Sequence, residues 1–445
     1  MFKVYLQSTL YINMNMPKNP KILLMTVSST MRGQIEYGQE ISKKVATLLE
    51  EFMELEDIGV ITSVAIADQT MDHYRNGNIA GAIIVVATGG TERIIKTIAR
   101  TFKKPILLIA HPYSNSLASS IEAYASLNED KIAIKLLYSN LDKEILNDIK
   151  RFINVCKAVY KIEHSKLGQI GAPSPWILTS KSPEIIKNRL GTDIIRLEVA
   201  DLFENISKIR NDDVKNIVNK IKEMFGEIVE PKDEELIEAV KIYFALKDIS
   251  SKNELSAITL RCFDLIAHDV TGCIGISLSN DNGLIAGCEA DIDAALTMMI
   301  LNALTNEPVW IANIARVNTK ENTITLAHCT IATKMLENTK KSALRSHFES
   351  GKSVSIQGPL KRSEITLARL GGKNLDKMTI ATGKIIRTDF QDPLLCRTQA
   401  EIKLNGDVQK FIMSALGNHQ VLAYGDLTQE LLDFCRFKNI EPIII

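Results

Sequence analysis

The chain has 445 residues, 45% hydrophobic and 24% charged, and its 53 basic and 53 acidic side chains leave a formal net charge of zero. That length implies about two or three domains; the balanced composition speaks against disorder and excludes the electrostatic footprint of a nucleic-acid or anionic-membrane partner. No apolar run reaches the roughly 18 residues of a membrane span, and the seven cysteines, scattered without a C-x-x-C pair, signal neither a disulfide framework nor a zinc knuckle, so a reducing, cytoplasmic setting is expected.

Residues 1–20 read as an N-terminal extension: Lys3 is present, but an apolar core and a small-residue cleavage site are not, so no secretory signal is expected. From Lys21 onward, short β-type runs alternate with amphipathic helices. The pattern predicts strands at 22–27, 59–66, 81–87, 105–110 and 132–137, with helices at 40–52, 68–75, 91–102, 116–125 and 142–160. Such alternation implies a parallel sheet covered on both faces, here an α/β domain over residues 21–162. Thr88, Gly89 and Gly90, in Thr88-Gly-Gly-Thr-Glu92, stand where a strand feeds a helix. Glycines there let backbone amides approach an anionic or hydroxyl-rich ligand, although the loop matches neither a Walker A nor a G-x-G-x-x-G element; an ordinary βα turn is the alternative. His111 follows the next strand and is either a ligand-edge residue or a hydrogen-bonded loop residue.

A second α/β domain is expected over residues 163–305. Its first strand, 167–178, is broken by Gly171-Ala-Pro-Ser-Pro-Trp176, whose indole either stacks on a ligand or fills the core. A helix at 183–190 and an extended run at 193–199 follow. Helices at 212–225 and 233–248 carry apolar stripes (Val214, Ile217, Ile221; Leu236, Val240, Phe244), and 257–261 and 273–278 are expected to be extended. The domain closes on Gly283-Leu-Ile-Ala-Gly-Cys-Glu289-Ala-Asp291-Ile-Asp293, an apolar run that ends in three acids before a helical pattern. An extended backbone would point Glu289 and Asp291 to one side, where like charges raise each other's pKa or take a cation between them. Capping of the following helix is the alternative.

From residue 306 to 445 the texture changes. Runs at 309–315, 323–328, 353–357, 364–369, 378–387 and 397–403 are short, alternating and Thr-rich, the pattern of an antiparallel sheet or small barrel. A helix at 407–416, a strand at 420–424, a helix at 428–437 and a strand at 441–445 return to α/β style, and this last segment is expected to pack on the second domain. His328 ends one strand and His419 follows a Gly-Asn turn. With the upstream acids they form a mixed carboxylate and imidazole set suited to Mn²⁺ or a related divalent ion.

The block from Cys288-Glu-Ala-Asp291 through Ala312-Asn313 and Leu326-Ala-His-Cys-Thr330, with Gly417-Asn-His419, resembles the L-fucose isomerase and L-arabinose isomerase superfamily. The L-fucose isomerase-like branch is the nearest, and the loops 88–92 and 170–176 fit it too. The resemblance runs from about Lys21 to the end. It implies two Rossmann-like parallel-sheet domains plus a C-terminal antiparallel β-barrel-type domain, assembled as a homo-hexamer or homo-trimer. It also implies a metal-dependent aldose–ketose isomerase acting on a small-molecule sugar, a pentose or 6-deoxyhexose, through an enediol. Glu289 matches the family glutamate that binds metal and accepts a proton, and His419 the metal-binding histidine. Asn313 stands at or next to the second acid, an amide in place of a carboxylate, with a carbonyl oxygen still able to coordinate. The expected catalytic set is Glu289, Asp291 and Asn313; the metal set, for Mn²⁺ or another divalent cation, is Glu289, Asn313 and His419. Thr88, Gly89, Gly90, His111, Trp176 and His328 are the expected sugar-binding residues. The amide at Asn313 leaves two other readings open: a non-catalytic sugar-binding protein on the same scaffold, and an enediol-type epimerase or lyase.

Overall fold

The computed structural model describes residues 20–75, 77–388 and 390–445; of the expected N-terminal extension only Pro20 lies among them. The chain divides into two compact units, one built on Met16–Lys161 and Gln429–Ile440, the other on Ile162–Thr428 and Glu441–Ile445.

In the first unit β1 (Lys21–Val27), α1 (Gln34–Leu48), β2 (Leu55–Ile61), α2 (Val64–Tyr74), β3 (Ile79–Val86), α3 (Glu92–Phe102), β4 (Ile106–Ala110), α4 (Ser116–Glu129), β5 (Ile134–Tyr138) and α5 (Leu146–Glu163) alternate. The strands pair in parallel in the order β2-β1-β3-β4-β5. Every residue of β3 is buried, as a central strand with helices on both faces must be. On α3, Ile94, Ile95, Ile98, Ala99 and Phe102 turn inward. The strand order reverses between β1 and β3, so the loops after β1, β3 and β4 gather at one edge of the sheet.

The second unit continues with β6 (Lys166–Ile170), α6 (Pro183–Leu190), β7 (Asp193–Leu197), α7 (Val199–Ser207), α8 (Asn211–Met224), β8 (Glu227–Ile228), α9 (Asp233–Asn253), β9 (Ala257–Leu260), α10 (Cys273–Asp281), β10 (Ile285–Cys288) and α11 (Ile292–Thr305). A parallel sheet runs β10-β9-β6-β7. Residues 273–278, expected to be extended, instead open the helix α10. Their apolar and small residues alternate with the period of a strand, but Cys273 to Ser279 are all buried, and a helix without a polar face shows no 3.6-residue periodicity. Gly275 lets it seat on α9, since a Cβ there would lie 2.9 Å from Ile242 Cγ2 and 3.1 Å from the Tyr243 backbone nitrogen.

Then come β11 (Trp310–Asn318), β12 (Thr323–His328), β13 (Ala343–Arg345), β14 (Ser355–Gln357), β15 (Glu364–Gly371), β16 (Lys377–Arg387), β17 (Thr398–Leu404), α12 (Val408–Met413), β18 (His419–Tyr424), α13 (Thr428–Lys438) and β19 (Glu441–Ile444). The order β15-β18-β11-β12-β17-β16 is antiparallel throughout and β16 returns to β15, which closes a six-stranded barrel. Trp310, Leu326, Leu367 and Leu422 of the barrel share one core with Val214, Leu236, Tyr243 and Ile274 of α8, α9 and α10. β8, β13 and β14 form a small separate sheet. β19 adds to β16 in parallel, while Asp433 of α13 pairs with Lys135 of β5 at 2.6 Å within the first unit. Among the described residues no helix is long and apolar enough to cross a membrane, and all seven cysteines are free thiols.

Candidate metal centre

Between β10 and α11 the chain makes a left-handed turn, with φ 60° at Glu289 and 52° at Ala290. Side chains with a Cβ seldom adopt this conformation, and surrounding bonds must impose it. Ala290 N–H donates to the Leu260 carbonyl and Asp291 N–H to that of Cys288, each at 3.1 Å, and the Glu289 carbonyl accepts from Ser174 N–H at 3.0 Å. The turn replaces the expected extended backbone and sends the two acids to different tasks. Asp291 becomes the N-cap of α11, its Oδ1 accepting from Ala294 N–H at 2.9 Å.

Glu289 instead meets two histidines. Glu289, His328 at the end of β12 and His419 at the start of β18 are all buried and each offers one ligand atom, these atoms lying within 4.8 Å of one another. Barrel register makes the meeting possible: Asn313 of β11 lies opposite His419 on one side and Ala327, the neighbour of His328, on the other. His419 Nδ1 donates to Asp291 Oδ2 at 2.9 Å. Its Nε2 is buried without a hydrogen-bond partner, 3.7 Å from Glu289 Oε1. A carboxylate holding one ring nitrogen while the other stays free is the arrangement that orients a metal-binding histidine. His328 Nδ1 accepts from Thr330 N–H at 3.2 Å and lies 2.8 Å from the Thr330 hydroxyl, which fixes the ring in place beside Glu289 and His419. Two imidazoles and a carboxylate around an orphaned buried nitrogen fit a divalent cation.

The charges follow from burial and pairing. Arg369 grips Asp291 with two bonds of 3.0 Å, both side chains fully buried. Burial pushes the Asp291 carboxyl up, but Arg369 and His419 hold it well below the usual carboxylate range. Burial likewise raises Glu289, yet His419 and Trp176 leave it below its ordinary value. His328 is driven down to about 3 by burial and by His419, against the pull of Glu289. His419 goes the other way: burial disfavours its charge, but Asp291 and Glu289 raise it to about 9. Asp293, pushed up to about 6 by burial against Arg369 and Lys181, lies 3.5 Å from the Lys181 ammonium.

Trp176, 51% exposed, donates its indole N–H to Glu289 Oε2 and stands edge-on to Phe263 at 4.9 Å. It borders the centre instead of filling a core. Asn313 is half-buried, and its amide oxygen accepts from Asn418 at 3.3 Å. Asp291 has both oxygens engaged by Ala294, Arg369 and His419, so it orients the imidazole. Thr88, Gly89, Gly90 and His111 lie in the first unit, apart in sequence from these residues.

Sequence reasoning missed several neighbours. Arg369 could have been flagged as a charge inside the run Ile365-Thr-Leu-Ala-Arg369-Leu, since a buried charge demands a partner. Phe263 lies in a short 3-10 helix over Cys262–His268 and His347 and Glu349 in an irregular segment, neither of which carries such a signal. His347 packs edge-on to Phe263 at 5.9 Å and is pushed down to about 4, chiefly by burial. Glu349 is raised by burial and by the charge of Glu289.

No family model matches the chain. Three curated proteins named sulfoquinovose isomerase align with it over most of their lengths. Those of Priestia aryabhattai and Priestia megaterium are each 21% identical over 402 residues, covering 86% of this chain and 89% of theirs. That of Clostridium sp. (strain MSTE9) is 21% identical over 360 residues, 78% of this chain and 79% of its own.

Proposed function

We propose that this chain is an aldose–ketose sugar isomerase whose reaction centre is Glu289, His328 and His419 around a divalent cation, Mn²⁺ in the first instance. One observation carries the proposal: ligand atoms from three distant segments converge within 4.8 Å, with the buried His419 Nε2 unpaired and its Nδ1 held by Asp291. The relatives named sulfoquinovose isomerase support a sugar isomerase, and add a sugar with a sulfo group to the pentoses and 6-deoxyhexoses expected from sequence.

When bound, such an ion polarises two neighbouring sugar oxygens and lowers the cost of the enediolate between aldose and ketose. The chain's own groups supply the proton traffic. Glu289, kept ionised by His419 and Trp176, is the base for the carbon-bound proton. Glu349, raised by burial and by Glu289, is the second carboxyl, able to hold a proton that Glu289 has given up and to return it on the other carbon. It takes the role that the amide of Asn313 cannot fill. Asn313 offers a neutral carbonyl oxygen to a sugar hydroxyl. Trp176 and Phe263, edge-on at 4.9 Å, form an apolar wall for the C–H face of the sugar.

The test uses Glu289→Gln, His419→Ala and Glu349→Gln. Bound metal is measured by elemental analysis, and deuterium exchange at C2 is followed by NMR across pentoses, 6-deoxyhexoses and sulfoquinovose. Expected are loss of metal and exchange in the first two variants, and loss of exchange with metal retained in the third. Unchanged metal content in both of the first two refutes the centre. Saturable sugar binding without C2 exchange in the wild type refutes the isomerase in favour of a binding protein.

A further inference from the structure

We propose that Cys262 and Cys288, beside the turn that carries Glu289, are a redox-active pair that a small peroxide joins reversibly into a disulfide. Their Sγ atoms lie 2.8 Å apart, and both are free thiols. A disulfide holds its sulfurs at about 2.05 Å and demands backbones already close and side chains already facing. Strand register supplies the first condition. β9 and β10 run side by side in parallel, with Leu260 opposite Cys288, and the chain leaves β9 at Arg261 to open a short 3-10 helix at Cys262. Ala290 N–H, bonded to the Leu260 carbonyl at 3.1 Å, and Arg261 N–H, bonded to that of Ile170 at 2.9 Å, pin both strand ends. The thiol contact itself meets the second condition, so closing the bond asks for a movement of less than about 1 Å.

Buried cysteines in apolar surroundings are ordinarily inert, and these two are 5% and 4% exposed. Their place in the chain sets them apart. Cys288 immediately precedes Glu289, and Cys262 immediately precedes Phe263, which stands edge-on to Trp176 at the border of the candidate metal centre. Both thus stand one residue away from side chains of that centre, within reach of an oxidant as small as hydrogen peroxide and shielded from bulky disulfides. The sulfur of one cysteine attacks a peroxide oxygen, the O–O bond breaks, and a sulfenic acid and one water form. The second sulfur then displaces the hydroxyl group as another water, and the S–S bond closes. Two thiols lose two electrons, the peroxide gains them, and both thiol protons leave in the two waters. A cross-link at the base of the turn then restrains Glu289, whose backbone is already held at φ 60°. That the bond is felt at the metal centre rests on the proposed function; that it forms does not.

Cys273 of α10, electrostatically coupled to both sulfurs, and the partly exposed Cys396 are the competing thiols. The full-length protein, reduced and metal-free, is exposed to hydrogen peroxide, its remaining thiols are blocked with N-ethylmaleimide in urea, and the unreduced digest is mapped by mass spectrometry. Expected is a cross-linked peptide joining Cys262 to Cys288, with both thiols recovered on treatment with dithiothreitol. Cys262→Ser and Cys288→Ser, each a change of one atom, are expected to keep the fold and lose the cross-link. Oxidation confined to Cys396, a cross-link from either cysteine to Cys273 in place of the pair, or no oxidation of the pair overturns the proposal, whatever the isomerase assay shows. Chelator competition for Co²⁺ then compares the reduced and cross-linked forms. An affinity lower by about tenfold in the cross-linked form, restored on reduction, ties the pair to the metal centre, and equal affinities refute that tie.

Discussion

Replacing Asp291 by Asn separates the charge of this side chain from its capping role. Asn caps a helix about as well as Asp, so the bond from Ala294 N–H survives and the loss falls on electrostatics. Arg369, fully buried and bound to Asp291 through two 3.0 Å bonds, would be left without its partner. Removing one member of a buried pair costs about 3–5 kcal/mol. Asp293, whose carboxyl also feels the field of Arg369, offsets part of that loss in the variant and holds it to the lower end, about 3 kcal/mol. His419 would also lose the carboxylate that receives its Nδ1 proton, a change that weakens metal binding by about 10- to 100-fold. Urea denaturation of the metal-free protein at pH 7 and chelator competition for Co²⁺ read the two effects. Because the native pKa of Asp291 is depressed below its ordinary 3.8, its contribution is present above that pH. The gap between wild type and variant therefore narrows only as pH falls below about 4. A loss under about 1 kcal/mol with unchanged Co²⁺ affinity would refute the buried-pair account.

Three further outcomes follow from the same geometry. His419, raised from 6.5 to about 9, stabilises the metal-free protein fully below its unfolded pKa, and that contribution is lost as pH rises through 9; metal binding at neutral pH must then expel a proton, seen by calorimetry in buffers of different ionisation heat, and zero proton release contradicts the assignment. The chain has two tryptophans, Trp310 buried and Trp176 half-exposed. Co²⁺ is expected to quench chiefly Trp176, so Trp176→Phe removes most of the quenching, and quenching that persists places the ion elsewhere. Gly417→Ala would bring a Cβ within 2.7 Å of the Arg369 guanidinium, a forced shift of the buried pair costing about 1–3 kcal/mol by denaturation, whereas a neutral result means the guanidinium has room to move.

The fold was legible where burial and period agree. β3 is apolar from end to end because both its faces are covered, and β12 emerged at its predicted bounds, 323–328, because Thr alternates there with apolar residues. Legibility failed at α10, where an all-buried helix wears the alternation of a strand. It also failed at 193–199, expected to be extended: β7 ends at Leu197, and α7 starts at Val199 behind a capping box between Glu198 and Asp201. In the candidate site, Glu289, Trp176, His328 and His419 were all singled out from sequence. Glu349 and His347 were not, since they lie in the irregular segment between β13 and β14, where no periodicity tells which way a side chain faces.

The division of labour between Glu289 and Asp291 could not have been read from the local pattern, and the reason is physical. Neither Glu nor Ala favours the left-handed region, so nothing in Cys288-Glu-Ala-Asp291 announces the turn at φ 60° and 52°. The turn is imposed from outside, by the Leu260 carbonyl and Ser174 N–H, groups 29 and 115 residues upstream of Glu289 by subtraction of their positions. Its effect is to convert two like charges on one face, the arrangement an extended chain would give, into one carboxylate neutralised by Arg369 and one aimed at the histidines. A site that needed both acids as ligands would have kept the extended form and left His419 without an orienting partner. The strain held at Glu289 and Ala290 is thus the local cost of placing a single carboxylate, a histidine support and a helix cap within three consecutive residues.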